Sequence, residues 1–299
     1  MKKLLLCALL LVSASFVQAQ QRPAVTGLAF VRFYVTDVAA GDAFYGKTLG
    51  YVGVKDGAIT RYPVNDVQWI ETTPLPSPAP ASKQAAVGFM TRDAAALATY
   101  LEAHGTTLAT HVKNGEFSVR DPEGNLIIFV DHTAPAAMAV KRAPLAANAP
   151  SHRLIHTGFV VQSAAKENEF YRELLDFKPY WHGGRTDDST DYVSQQAPEG
   201  SDWLEYMLNN GTSPTPKQLG GADHISLGVD QMSTVIAALA RNGCTGPSCT
   251  ASKTGRDGKV QLNLFDPDLT RVEYMEFKPS GTICCSEFTA PHPTATESR

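Results

Sequence analysis

The sequence has few of the features that would direct a protein to nucleic acid or hold it in a membrane. Charged residues make up only 19% of the 299 residues, the formal net charge is −4, and no basic stripe is present. The composition therefore argues against nucleic acid as a partner. The apolar run that follows Lys3 is too short, and too quickly followed by polar residues, for a membrane span. The cysteines lack CxxC spacing, so a four-thiolate zinc site is not indicated.

The N-terminus has the pattern of a secretory signal peptide. Two lysines precede the apolar run, and Val17-Gln18-Ala19 offers small residues at a cleavage position. We expect residues 1–19 to be removed, which would place the mature protein in the periplasm or outside the cell, free of the membrane.

Four cysteines would remain after cleavage, and an even number in an exported chain permits disulfides. Cys244 and Cys249 bracket a Gly-Pro turn and could close a small loop. Adjacent Cys284 and Cys285 are not expected to bridge each other easily.

Two stretches of the chain are diverged copies of one another. The segment FVRFYVTDVAAGDAFYGKTLGY from Phe30 aligns with HTGFVVQSAAKENEFYRELLDF from His156, and Asp121-Pro122 aligns with Asp266-Pro267. The offset between the copies grows smoothly along the chain, as loop insertions in a duplicated domain require.

Composition divides the chain into further segments. An Ala/Pro-rich stretch without periodicity is typical of a linker, and the polar C-terminus is typical of disorder. The predicted segments are an N-terminal domain over 24–135, a linker over 136–150, a C-terminal domain over 151–278 and a disordered tail over 279–299. Each domain is divided again at its middle by a Pro/Ser-rich stretch, which gives four modules. Each module is predicted to begin with a strand of alternating apolar residues, followed by an amphipathic helix and further strands.

Only the second copy keeps a set of metal-ligand residues. At four equivalent columns the second copy carries His156, Glu205, His224 and Glu273, and the first copy carries Phe30, Glu71, Ala86 and Ile128. A carboxylate on a mostly apolar strand should be paired or bound to a metal, because an unpaired buried charge is costly. Each residue taken alone is more often an ordinary strand residue. Their coincidence at equivalent positions favours a site for a first-row divalent ion.

The repeated modules, the FY…LG segment and the Asp-Pro turn before the final strand together resemble the vicinal oxygen chelate superfamily. That superfamily includes glyoxalase I, extradiol catechol dioxygenases, methylmalonyl-CoA epimerase and bleomycin-resistance proteins. The resemblance implies an α+β fold of four βαβββ modules, which form two domains with cupped mixed sheets.

The resemblance also implies roles for the four residues. His156 and His224 match the two histidine ligands, Glu273 matches the terminal carboxylate ligand, and Glu205 matches the glutamate of glyoxalase-like members. The first domain is then a degenerate copy that has lost its ligands. One departure is Leu269, which replaces the glycine usual in the last turn.

The four-ligand set resembles glyoxalase I and the epimerases, which favours a metal-dependent lyase or isomerase. The substrate would be a small molecule with two neighbouring oxygens, held on a divalent ion: nickel, cobalt, zinc, iron or manganese. Glu205 or Glu273 would be the catalytic base that moves a proton. The protein is expected to act as a monomer or a homodimer.

Two other functions remain open. A degenerate first domain followed by a ligand-bearing second domain resembles the extradiol ring-cleavage dioxygenases. Against this, the place of their tyrosine holds Asn263, and no histidine lies between Glu205 and His224. A non-catalytic protein that binds a small ligand, like the bleomycin-resistance proteins, is the other alternative. Its pocket could be lined by four aromatic residues, Tyr180, Trp181, Trp203 and Tyr206, although aromatic residues at strand spacing are more often core. Arg185 could bind an anionic group, but a solvated loop arginine is the commoner outcome.

Overall fold

The computed structural model describes residues 21–296, which form two eight-stranded mixed sheets. The first sheet contains β1 (Val25–Val35), β2 (Val54–Asp56), β3 (Ile59–Pro63), β4 (Trp69–Pro74), β5 (Gln84–Thr91), β6 (Leu108–Lys113), β7 (Glu116–Arg120) and β8 (Leu126–Asp131). The second contains β9 (Leu154–Val160), β10 (Lys178–Gly183), β11 (Tyr192–Gln196), β12 (Trp203–Met207), β13 (His224–Val229), β14 (Ser252–Thr254), β15 (Val260–Phe265) and β16 (Arg271–Glu276).

The two sheets have the same topology. Their strand orders are β2-β3-β4-β1-β5-β8-β7-β6 and β10-β11-β12-β9-β13-β16-β15-β14. In each sheet the first strand of the domain pairs with the fourth in parallel and with the fifth in antiparallel orientation. The α+β fold of four βαβββ modules is thereby confirmed. The first strands of the two modules lie side by side at the centre of each sheet.

Six α-helices accompany the strands in the described part of the chain. They are α1 (Val38–Asp42), α2 (Ala94–Ala103), α3 (Pro135–Arg142), α4 (Ala164–Asn168), α5 (Pro216–Ala222) and α6 (Met232–Arg241). The starts of α1 and α4 are capped, since the Asp37 and Ser163 side chains accept backbone hydrogen bonds there. Both helices continue as a π-helical turn, Ala43–Thr48 and Glu169–Leu174, which contains the FY pair. None of the helices within residues 21–296 is long and apolar enough to cross a membrane.

The FY pair and the Asp-Pro turn meet across the two domains. The Tyr45 hydroxyl of the first domain donates to Asp266 of the second at 3.0 Å, and the Tyr171 hydroxyl of the second donates to Asp121 of the first at 3.1 Å. All four side chains are buried. The two sequence motifs therefore form a reciprocal contact that joins the copies.

A buried glutamate beside this contact makes the stability depend on pH. Glu167 is 0% exposed, and burial together with nearby Asp121 raises its pKa to about 9. In the unfolded chain, Glu167 loses its proton above the ordinary pKa of a glutamate, whereas in the folded protein it keeps the proton up to the raised pKa. The free energy of unfolding should therefore fall as the pH rises from the first pKa to the second. We expect Glu167→Gln to raise the free energy of unfolding at pH 8 by about 1–3 kcal/mol, and by less at pH 5. The glutamine oxygen can still accept the 2.9 Å bond from the backbone N–H of Glu123.

Urea unfolding at the two pH values measures this difference. Glu169→Gln, on the exposed side of the same helical segment, is the control and should change stability at neither pH. An effect of Glu167→Gln that is equal at pH 5 and pH 8 would contradict the titration.

Segments expected to be irregular are partly ordered. The predicted linker contains most of α3, which buries Ala137 and Val140. The described residues of the predicted disordered tail lie beside β10 instead: Thr289 N donates to Tyr180 O at 3.0 Å, and Phe288 packs on the Tyr180 ring at 5.0 Å. Ile283 and Ala290 of the same segment also pack against this apolar cluster. The predicted signal peptide lies outside the described residues.

The cysteines pair within two short segments. Cys244 is bonded to Cys249, as expected for a small closed loop. Cys284 is bonded to Cys285, which the sequence analysis did not expect. Leu269 takes the positive φ of 68° that the missing glycine would have supplied, so the last turn keeps its shape.

Candidate metal centre

The four candidate ligands lie on four neighbouring strands at the centre of the second sheet. Gly158, two residues after His156 on β9, pairs with Glu205 of β12 on one side and His224 of β13 on the other. Glu273 lies on the next strand, β16, opposite the residue two beyond His224. Directly paired residues, and residues two apart on one strand, share a face of the sheet. The duplication thus brings all four side chains to one face.

The side-chain tips of these residues converge. His156 Nε2 lies 3.0 Å from His224 Nε2 and 3.4 Å from Glu273 Oε2. His224 Nε2 lies 3.6 Å from Glu205 Oε2. One ligand atom from each of His156, His224 and Glu273 lies within 4.8 Å of the other two, and Glu205 stands beside this group. Two donors about 2.1 Å from one ion, at a right angle, are about 3.0 Å apart, so the spacing fits a shared divalent cation.

The hydrogen bonds of the two imidazoles also fit a cation. His224 Nδ1 lies 2.6 Å from the carbonyl oxygen of Ala222, so Nδ1 carries the proton and donates it there. The Nε2 lone pair of His224 then faces His156. His156 Nδ1 is buried without a hydrogen-bond partner among residues 21–296, while its ring stacks on Trp203 at 4.6 Å. An ion between the rings would use both Nε2 lone pairs, and His156 Nδ1 would then carry the proton of that ring.

Burial sets the protonation of the group. It lowers the pKa of His156 and His224 well below the usual range, helped at His156 by the neighbouring His224 and at both rings by Arg271. Neutral imidazole is the form that binds metal. Burial raises the pKa of both carboxyl groups, and for Glu205 burial and the charge of Glu273 raise it to about 8.

A cavity of about 490 Å³ opens onto the group, and Glu205 and Glu273 form part of its wall. Its aromatic lining comprises Tyr180, Trp181, Tyr192, Trp203 and Phe288. Three of the four aromatic residues predicted to line a pocket are among these. The fourth, Tyr206, lies in the core against Phe159 and Tyr171. Arg185 also lines the cavity.

Two cations near the group were not anticipated. Arg271 precedes Glu273 by two residues on β16, and its Nη1 lies 3.6 Å from Glu273 Oε1. Because residues two apart on a strand share a face of the sheet, the sequence could have predicted that Arg271 lies beside Glu273. Lys259 is fully buried, with its Nζ 4.6 Å from the Trp203 ring centre and 3.3 Å from the Tyr180 hydroxyl. No pattern in the sequence distinguishes this lysine from exposed ones.

The first domain fills the same place with an ion-pair network. Glu71, the counterpart of Glu205, accepts from Arg32 at 2.6 Å, Arg61 at 2.9 Å and Trp69 at 2.8 Å. The Phe30 ring, which replaces His156, stacks on Trp69 at 5.0 Å. Of the four columns that carry candidate ligands in the second copy, the first copy keeps an acid only at Glu71, and two guanidinium groups neutralise it.

Gly158 is the residue that makes room for His224. A Cβ at Gly158 would stand 2.3 Å from Cε1 and 2.6 Å from Nδ1 of the imidazole, while the first copy has Arg32 in this column. We expect Gly158→Ala to displace His224 and lower metal affinity by about 10–100-fold, since misplacing a ligand has effects of that size. Gly221→Ala is the matched control, because Gly221 lines the same cavity and has open space around its Cβ position. Titration of both apo-proteins with zinc measures the difference; equal affinities would show that His224 is not a ligand.

The sequence profile of the Glyoxalase/Bleomycin resistance protein/Dioxygenase superfamily matches residues 27–129 and 153–274. The chain therefore belongs to this superfamily, as the sequence analysis predicted. No curated protein matches the sequence.

Several solved structures share the two-domain fold. The anaerobic substrate complex of homoprotocatechuate 2,3-dioxygenase from Brevibacterium fuscum aligns with a TM-score of 0.62 and 18% identity, covering 86% of this chain and 82% of that one. The native enzyme from Arthrobacter globiformis aligns with 0.62 and 18%, covering 85% and 80%. The 2,3-dioxygenase LapB from Pseudomonas sp. KL28 aligns with 0.61 and 17%, covering 92% and 96%. At these identities the likeness establishes the fold.

Proposed function

We propose that the protein is a metal-dependent enzyme acting on a small substrate that presents two adjacent oxygens. The observation that carries the proposal is the convergence of His156, His224 and Glu273 on one point, at 3.0 and 3.4 Å between ligand atoms. Two histidines and one carboxylate leave coordination positions open for a substrate. A divalent ion bound there would supply Lewis-acid polarisation of the substrate oxygens.

Glu205 is proposed as the group that moves a proton. Its side chain is 13% exposed, lies on the cavity wall, and stands beside the group of three ligands. Without a bound ion, burial and the charge of Glu273 raise the pKa of this carboxyl group to about 8, and a carboxyl group beside the ligand group is placed to act as a general acid or base. Proton transfer between adjacent carbons of a bound hydroxy-ketone is then the reaction that the site supports best. The enzyme would be an isomerase or a lyase.

Ring cleavage of a catechol is a second candidate. It is favoured by the likeness to extradiol dioxygenases, which spans both domains and covers 96% of LapB. The position opposite Glu273 on β15 holds Asn263, whose amide oxygen lies 3.5 Å from Arg271. The tyrosine that the resemblance to the dioxygenases would place at this position is therefore absent, which counts against ring cleavage.

Elemental analysis followed by two assays tests the proposal. The protein, purified without added metal, is loaded with iron(II), manganese, cobalt, nickel or zinc. Deuterium uptake from solvent into α-hydroxyketones reports proton transfer, and oxygen consumption with catechols reports ring cleavage. Exchange with redox-inert zinc would support the isomerase or lyase. Oxygen consumption confined to the iron or manganese form would favour the dioxygenase, and failure to retain any metal would overturn both in favour of simple ligand binding.

A further inference from the structure

We infer that the substrate carries a carboxylate or similar anionic group, held by Arg271 on the cavity wall with Lys217 and Lys253 contributing charge. This inference rests on the proposed function, because it places the anion on a substrate whose oxygens face the ligand group. The cavity is lined by five basic side chains, Arg185, Lys217, Lys253, Arg256 and Arg271, and by three acidic ones, Glu205, Asp257 and Glu273.

Two of the basic side chains already have carboxylate partners that are not part of the cavity wall. Arg185 pairs with Asp191 at 2.8 Å, and Arg256 pairs with Asp187. Each of these pairs is electrically neutral. The positive charge of the cavity wall therefore comes from the other three basic side chains, Lys217, Lys253 and Arg271.

Arg271 is the cation closest to the candidate ligands. Its side chain is 18% exposed, and its Nε is buried without a hydrogen-bond partner among the described residues. Within residues 21–296 its side chain reaches two oxygen acceptors, and both distances are long: 3.6 Å to Glu273 Oε1 and 3.5 Å to the amide oxygen of Asn263. A guanidinium has five donors and binds carboxylates in a bidentate manner. Donors left unsatisfied on a cavity wall are a site for such an acceptor.

The charge balance of the cavity has a positive surplus. Buried Asp257 is matched by buried Lys259, whose backbone N–H it accepts at 3.2 Å and whose ammonium group lies near enough to favour the carboxylate. A divalent ion held by the ligand group would match the charges of Glu205 and Glu273. Arg271 remains, together with Lys217 and Lys253, neither of which forms an ion pair within residues 21–296.

A ligand that neutralises this surplus must be an anion. The aromatic side chains of the cavity wall can pack against an apolar part of the ligand, which would lie between the oxygens that face the metal ligands and the group that faces Arg271. The fitting chemical class is therefore a small, planar or apolar molecule with vicinal oxygens at one end and a carboxylate at the other.

Calorimetric titration of the zinc-loaded protein tests the charge requirement without turnover. The probes are 3,4-dihydroxybenzoate and 3,4-dihydroxybenzamide, which have the same shape and differ in charge. We expect the acid to bind at least about tenfold more tightly than the amide, as a charge-assisted bidentate contact implies. Arg271→Gln should remove this difference, and the Lys217→Gln/Lys253→Gln double variant should reduce it without touching a candidate ligand. Added salt should weaken binding of the acid alone.

Zinc content is measured for every variant, and Arg241→Gln, at an exposed position of α6, is the control that should preserve the difference. Equal binding of acid and amide to the zinc form would overturn the anionic substrate and leave the proposed function intact. Binding of neither probe, with zinc retained, would overturn the proposed vicinal-oxygen function and this inference with it.

Discussion

His224→Ala should lose its metal and all metal-dependent turnover while the protein still folds. His224 is 0% exposed, its Nε2 lies 3.0 Å from that of His156, and its Nδ1–H is fixed by the carbonyl oxygen of Ala222. A ligand held in place by such a bond contributes fully to affinity, and even its supporting partners are worth 10–100-fold. We therefore expect a loss of more than about 100-fold in zinc affinity. Truncating one buried side chain should cost about 2–4 kcal/mol of stability.

Metal content after desalting and a thermal unfolding curve measure the two effects separately. His182→Ala is the control, because His182 lies on β10 with its side chain exposed, and it should keep both metal and stability. Unchanged metal content in His224→Ala would refute the ligand assignment.

Glu205→Gln should keep the metal and lose turnover. The amide preserves the shape of the side chain but cannot take or give a proton, and removal of a positioned acid–base group lowers rates by about 10²–10⁴-fold. The ligand atoms of His156, His224 and Glu273 converge without Glu205, so metal retention should survive. The turnover number and the zinc content of the variant are the quantities to compare with the parent protein. Loss of metal would instead make Glu205 a fourth ligand, as the resemblance to glyoxalase I implies.

Glu71→Gln provides a control at the same column of the other domain. Glu71 accepts from Arg32 and Arg61, and loss of its charge removes the carboxylate partner of Arg32 and leaves Arg61 with Asp56 alone. We expect this variant to unfold more easily, because breaking a buried ion pair is destabilising. Its turnover should equal that of the parent protein. A matching fall in turnover would show that the first domain takes part in the reaction.

The repeated pattern in the sequence was enough to predict both sheets and the four columns. Strand alternation and the placement of helices repeat in each module, so register follows once the copies are aligned. His156 and Glu205 fall at the same columns as Phe30 and Glu71 in the structure, as the alignment required. Local pattern suffices here because side chains of alternate residues must share a face of a sheet.

Contacts between distant segments could not be predicted in this way. The Tyr45 bond to Asp266 joins motifs that the sequence analysis treated as belonging to separate domains. The tail residue Phe288 rests on Tyr180, although its neighbours are polar. Such contacts form between the surfaces of segments that have already folded and lie far apart in the sequence. The hydrophobic periodicity of one segment carries no information about which other segment it will contact.

The sequence by itself determined the duplication, the fold of the modules and the identity of the residues able to bind metal. Only the tertiary structure decided that His156, His224 and Glu273 meet closely enough to share one ion, with Glu205 beside them facing a cavity. The tertiary structure also pairs Glu71 with two arginines, Arg32 and Arg61. It leaves the Nε donor of Arg271 without a hydrogen-bond partner among the described residues. The physical reason is that side-chain chemistry is fixed by residue type, whereas distance, burial and charge balance arise only when separate strands are brought together.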